Sequence, residues 1–210
     1  MLIEQIMKTK CITIQPTNSI AHAAELMQRH EIRHIPVTNA RHELVGLIGL
    51  KELQSASSVF HPDTLHVDQQ NSVSSIMQQT PITAHPLDFI EDAAILFYEH
   101  RLSCLPIVRG RRLVGLMTET DLLRTFVQLT GALEPSSQIE VRVENTAGTL
   151  AKIANLLAKT NINILNVLVY PTPDPYVRIV AFRVQTMNPI RIIEKLRKEG
   201  FDVLGPDVSR

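Results

Sequence analysis

The chain contains one stretch twice, and that repetition constrains its fold more than any other feature. Ile6-Met7 recurs as Ile76-Met77, Ile12-Thr13 as Ile82-Thr83, Pro16 as Pro86, His30 as His100 and Pro36-Val37 as Pro106-Ile107, each offset by 70 positions. Leu44-Val45-Gly46-Leu47 recurs as Leu113-Val114-Gly115-Leu116, offset by 69. A repeat this long predicts two similar half-domains about a pseudo-two-fold axis. A cleft between such halves is a natural ligand site.

Each copy reads as β-α-β-β-α. A short helix carrying the Ile-Met pair leads into an extended segment, 11–14 or 82–84. Ile20, Ala23, Ala24 and Met27, and their counterparts Ile90, Ala93, Ala94 and Phe97, fall at helical spacing and predict one apolar face. Asp88 and Glu91 have capping-box spacing, which makes Asp88 the expected cap of the second copy's helix. Two strands follow, around Ile35-Pro36-Val37 and 44–50, or 105–108 and 113–118, and then a helix begins near Lys51 or Thr120. The expected boundaries are 1–65 and 66–130, joined by a polar segment, 54–72.

Beyond a linker at 130–138 the pattern changes. Ile139, Val141 and Val143 alternate as in a half-buried strand. Leu150, Ile153, Leu156 and Leu157 share a helix face, and 162–170 and 176–184 read as strands around a loop with three prolines, 171–175. Asn188 is placed to cap a last helix that begins at Pro189 and ends at Gly200, before a strand at 201–204. The order over 138–210 is β-α-β-β-α-β, a ferredoxin-like pattern. The fold class is therefore α/β (α+β).

Composition narrows the function. The formal net charge is zero, with 11 basic and 13 acidic residues in 1–130 and 10 and 8 in 131–210. This argues against a broad electrostatic grip on nucleic acid or membrane. No cationic leader or apolar run of spanning length is present, so the expected location is cytoplasmic. Cys11 and Cys104 form no disulfide framework and read as buried thiols. The eight histidines show no metal-ligand spacing, so no metal is expected. No nucleophile–base constellation stands out, which points away from an enzyme.

The strongest local motif is Gly115-Leu116-Met117-Thr118-Glu119-Thr120-Asp121. It spans a strand end, a turn and a helix start. Such a start offers amide donors to an anion, Thr118 adds a hydroxyl, and Asp121 can accept from two vicinal hydroxyls of a ribose. Equally, Thr118 and Asp121 can cap the helix.

With -Ile35-Pro36-Val37-, this motif makes residues 1–130 resemble a tandem pair of CBS (cystathionine β-synthase) domains. The resemblance implies an adenine nucleotide or adenosyl effector (AMP, ADP, ATP or similar) held between the copies. Thr118 and Asp121 would contact phosphate and ribose, and Lys10, Cys11, Arg33, His34 and Ile35 would complete the cleft. Copy one departs from the pattern, with Gly49 and Glu52 at the Thr and Asp positions, and Ser103-Cys104 stands where copy one has Arg33-His34. One competent site and one degraded or differently used cleft are therefore expected.

The third unit, through 143–150 and Asn161-Ile162-Asn163-Ile164, resembles an ACT domain. That implies an effector loop at Asn145, Thr146, Ala147 and Gly148, or a dimerisation module without ligand. Two CBS repeats followed by an ACT unit are similar in order to regulators of acetoin utilization. This implies a homodimer and partner enzymes of acetoin metabolism, or alternatively a dimeric adaptor without ligand regulation.

Overall fold

A computed structural model of the chain describes residues 1–56 and 70–205. Most of the polar joint, including the 65/66 boundary, and the last residues of the third unit lie outside the described residues. Two compact units result, Met1–Leu123 and Arg124–Arg210.

Among the described residues each copy shows a helix, an antiparallel hairpin and a following helix, which in copy two runs across the boundary between the units. Copy one has α1 (Ile20–Arg29), β1 (His34–Thr38), β2 (Leu44–Gly49) and α2 (Leu50–Ala56). Copy two has α3 (Ile90–His100), β3 (Cys104–Arg109), β4 (Arg112–Thr118) and α4 (Glu119–Leu129). The expected first strand of each copy shrinks to one parallel bridge, Ile14 to Val37 or Ala84 to Ile107. Ile20, Ala23 and Met27 are buried as the spacing predicts, but Ala24 is exposed and Leu26 takes the partly buried position beside them. A 3.6-residue period leaves either flank of the stripe open, and the larger side chain buries more apolar area.

The cap of α3 also differs. Asp88 closes the preceding turn by accepting from the His85 amide at 2.7 Å. Asp92 instead accepts from the Phe89 amide at the helix start, at 3.3 Å. Asn18 makes the matching turn with the Gln15 amide in copy one.

The copies exchange their leading segments. The 3₁₀ turn Ile3–Gln5 opens copy one in sequence, yet the Ile3 and Glu4 amides donate to Asp88 and Pro86 carbonyls of copy two, both at 2.9 Å. Val73–Ser75, which opens copy two, donates in the same way to Asn18 and Pro16 of copy one. Ile3 is fully buried in the copy-two core with Ile90, Leu105, Ile107 and Met117, while Val73 is fully buried in the copy-one core with Ile35, Val37 and Ile48. The repeated glycines belong to this exchange. A Cβ on Gly115 would stand 2.5 Å from Met7 Sδ, and one on Gly46 would stand 2.5 Å from Met77 Sδ.

The second unit is one antiparallel sheet, ordered β6-β7-β5-β8, built from β5 (Ser137–Glu144), β6 (Ile164–Pro171), β7 (Val177–Val184) and β8 (Asp202–Gly205). Helices α5 (Thr149–Ala158) and α6 (Ile190–Lys198) bury Ile153, Leu157, Ile192, Ile193 and Leu196 against Ile139, Val141, Val180 and Phe182. Leu150, expected on the buried face, is 49 % exposed. It sits in the first turn, ahead of the part of α5 that meets the sheet. Asn188 Oδ1 accepts from the Ile190 amide at 3.2 Å, and Gly200 ends α6 at φ 84°. No helix among the described residues is long and apolar enough to cross a membrane.

Candidate ligand clefts

The hairpins set the first cleft. Residue 8 of the leading segment pairs with Leu116 of β4 through two backbone hydrogen bonds, 2.9 and 3.0 Å. This brings the segment after Met7 alongside the end of β4 and the start of α4. A cavity of about 270 Å³ opens there, bounded by Lys8, Lys10, Cys11, Arg33, His34 and Thr118, with Ile12, Ile32 and Leu116 as its apolar wall.

Thr118 and Asp121 form a reciprocal box at the start of α4. Asp121 Oδ2 accepts from the Thr118 amide at 3.0 Å and from its hydroxyl at 2.5 Å, and Thr118 Oγ1 accepts from the Asp121 amide at 3.2 Å. The capping role is thus present in full. Asp121 Oδ1 is 2.9 Å from Lys8 Nζ, which ties the carboxylate to the cavity wall. Burial pushes the Asp121 carboxyl up, but the hydrogen bonds from Thr118 and the Lys8 ammonium outweigh it and hold the group below the ordinary carboxylate range. Lys8 is 62 % exposed, so solvent screens its share.

A group with a depressed pKa in the folded state stabilises fully above its unfolded pKa, about 3.9, and loses that contribution as pH falls through the folded value. The stability difference between wild type and Asp121→Asn should therefore be constant above about pH 5 and narrow below about pH 4. Urea titrations at a series of pH values measure this, and a difference that stays constant to pH 2 would contradict it.

Of the residues read from sequence, Lys10, Cys11, Arg33, His34 and Thr118 border this cavity, and Asp121 joins it through Lys8. Ile35 does not reach it. Strand alternation turns its side chain into the copy-one core, where it is fully buried. Lys8, Glu31 and Thr120 also border the cavity and were not anticipated. Lys8 carried a usable signal, because its repeat counterpart Gln78 is uncharged.

Burial lowers the His34 pKa, with Arg33 adding to the shift and Glu52 opposing it. Burial also raises both thiols, and Cys104, with Cys11 and Asp121 nearby, is pushed up to about 12. Neither thiol is an activated nucleophile.

The related cleft on the copy-one side measures about 490 Å³ and is bounded by Arg33, His34, Gly49, Glu52, Gln78 and Ser103, among others. Here only half of the box forms, with Glu52 Oε2 accepting from the Gly49 amide at 2.9 Å. His34 Nε2 and Ser103 Oγ share a hydrogen bond of 2.7 Å across the copies.

In the second unit Asn145, Thr146, Ala147 and Gly148 line a cavity of about 240 Å³ with Val169, Arg178 and Val180. The loop is braced from within. Asn145 Nδ2 donates to the Pro175 carbonyl at 3.1 Å, and the Thr149 hydroxyl donates to that of Glu144 at 3.3 Å. Gly148 takes φ 88° directly before α5, a left-handed conformation that glycine adopts without steric cost. Among the described residues no group of three or more His, Cys, Asp or Glu side chains could hold a metal ion.

The CBS domain family model matches residues 3–58 and 73–128, and the ACT domain model matches residues 137–201. The chain is 29% identical over 126 residues to L-aspartate semialdehyde sulfurtransferase of Methanocaldococcus jannaschii. That match takes in 60% of this chain but 23% of the relative, so the chain spans about a quarter of that protein's length. A CBS domain pair solved in complex with 5′-methylthioadenosine and S-adenosyl-L-methionine is 28% identical, with a TM-score of 0.53, over 61% of this chain and 97% of that one. An acetoin utilization protein (AcuB) from Vibrio cholerae aligns at a TM-score of 0.55 over 64% of this chain and 98% of its own, and at 24% identity the likeness concerns the fold alone. With two family matches covering more than half of its length, and a third module behind them, the chain belongs to the CBS domain family, as a tandem CBS pair followed by an ACT domain.

Proposed function

We propose that the chain is a non-enzymatic regulatory sensor that binds an adenosyl ligand in the first cleft. The observation that carries this reading is the Lys8–Asp121 pair beside the Thr118 box. It puts a carboxylate for ribose hydroxyls next to three cations, Lys8, Lys10 and Arg33, that suit phosphate or another anionic group. Ribose hydroxyls donating to Asp121 displace Lys8, whose ammonium then turns to the ligand's anion. Ligand binding changes the packing of the copies only to the extent that one arrangement binds it better. The change passes to the ACT unit, or to a partner, along the chain at 130–138. Melting curves with AMP, ADP, ATP and S-adenosyl-L-methionine test the reading. A ligand at 100 times its dissociation constant adds about 2.7 kcal/mol, and no shift with any of the four would refute it.

The reading places the protein in the cytoplasm, as a homodimer, among regulators of acetoin catabolism with enzymes of that metabolism as partners. The acetoin link rests on the resemblance read from the sequence and on the name of one structural neighbour, which aligns with 64% of this chain. For the homodimer, the support is the outer strand of the ACT sheet. β6 carries no charged residue, and Val167, Leu168 and Val169 are 44, 38 and 47 % exposed. Val167-Leu168-Val169 reads the same in both directions. A two-fold axis at Leu168 therefore sets each valine against its opposite number in a second, antiparallel β6. The other edge, β8, has four residues and begins with Asp202. Long, flat, uncharged edges invite such pairing.

Leu168→Lys would face two ammonium groups across that axis. It should weaken dimerisation at least about tenfold in sedimentation velocity, whereas an unchanged dimer would move the interface elsewhere. The ligand-free adaptor reading gains only if a partner enzyme binds Asp121→Ala and wild type alike, with no response to nucleotide.

A further inference from the structure

The two differences between the copies prove to be one. In the copy-one hairpin His34 stands directly opposite Gly49, and in copy two Cys104 stands directly opposite Thr118. These are equivalent positions in the repeat. One copy pairs a large ring with no side chain, and the other pairs a small thiol with a branched hydroxyl. Each pair keeps its volume while the composition is exchanged, as cross-strand neighbours in contact require.

Space alone accounts for Gly49, since it is not among the residues with positive φ. A Cβ there would stand 2.8 Å from Glu52 Oε2, 3.3 Å from His34 Cδ2 and 3.6 Å from His34 Nε2. The Glu52 carboxylate is the far end of a flexible side chain, and its counterpart Asp121 coexists with a threonine hydroxyl in copy two. The ring is the obstacle that is held in place, by its hydrogen bond to Ser103 of the other copy. The space that a side chain at position 49 would enter is thus taken by the His34 imidazole. Cavity size does not bar a ligand, because this cleft, at about 490 Å³, is the larger of the two.

We infer that the cross-strand pair His34–Gly49 is the specificity determinant that closes the second cleft to an adenosyl ligand, so that the tandem repeat takes one such ligand per chain. His34 acts from the strand of the copy whose cleft it closes and bonds to Ser103 of the other copy, so the closure also ties the copies together. The inference rests on the proposed binding of an adenosyl ligand in the first cleft.

The test transplants the copy-two arrangement into copy one. Gly49→Thr alone should overpack against the ring and lower the melting temperature, and His34→Cys alone should leave a gap. Together they should recover a large part of the two separate losses, because contacting residues couple in a double-mutant cycle. Adding Glu52→Asp completes the Thr-x-x-Asp pattern. Because His34 also borders the first cavity, the triple variant is titrated calorimetrically with AMP and with S-adenosyl-L-methionine in an Asp121→Ala background, where it should bind at least about tenfold more tightly than Asp121→Ala alone.

Two sites in wild type, no gain in binding by a folded triple variant over Asp121→Ala alone, or strictly additive losses in the cycle would each overturn the inference. Wild type that binds neither probe defeats the proposed function itself. The reverse exchange, Cys104→His with Thr118→Gly, gives a second arm. It should abolish the first site, and retained binding would also overturn the inference.

Discussion

Asp121→Ala should weaken the binding of an adenosyl ligand by about 10- to 100-fold, since a hydrogen bond to a charged acceptor is worth about 1.5–3 kcal/mol and each 1.4 kcal/mol is tenfold. The same change removes half of a helix cap, which costs about 0.5–2 kcal/mol of stability. The two effects separate by their dependence on Lys8. Lys8→Ala keeps the reciprocal Thr118–Asp121 box but removes one of the cations that border the cavity. It should therefore leave the melting temperature within a degree or two of wild type and still lose affinity, most for ligands with the greatest negative charge. Isothermal titration with AMP and ATP distinguishes the cases. Equal affinity in wild type and Asp121→Ala would leave the box as a cap and nothing more.

A larger loss of stability is expected in the leading segment of copy one. Ile3→Ala should destabilise the first unit by about 2–5 kcal/mol, the usual cost of truncating a fully buried aliphatic side chain. Ile3 lies in the copy-two core with no exposed surface. Urea denaturation followed by far-ultraviolet circular dichroism gives the value directly. A change below about 0.5 kcal/mol, the range of ordinary surface substitutions, would show that the leading segment only rests on copy two. Val73→Ala is the matching variant for copy one, with a smaller side chain to lose.

The repeat made much of this fold legible. Matching positions in the two copies gave both hairpins and the helices beside them, though not the loss of each first strand, because the apolar spacing of Ile20 and Met27, or of Ile90 and Phe97, fixes which side of each helix turns inward. It could not show that the leading segments change places. Ile3 and Val73 occupy the same position in the repeat and are both apolar, so either satisfies either core, and only the chain path between them decides. The cap of α3 was misplaced because Asp88 and Asp92 both have capping chemistry, and the turn from His85 claims the first of them.

At the cleft, comparing copies identified Gly49 and His34 as departures but left them as separate facts. They lie 15 positions apart, and only the hairpin register sets them face to face. Lys8 went unnoticed for a related reason. Its partner Asp121 is brought to it by the pairing of Lys8 with Leu116, a contact that no local pattern encodes.

The exchanged leading segments also govern how the molecule is made. On the ribosome the segment around Ile3 emerges well before its seat, which is formed by Asp88, Ile90 and Met117. Copy one in turn lacks Val73 until synthesis has passed beyond its own last helix. Neither half is complete when its own residues are finished, and both close over long loops, which slows folding more than it costs stability. Gene fragments cut between the copies should therefore yield two open halves rather than two small proteins. Supplied together, each half carries the piece that the other is missing.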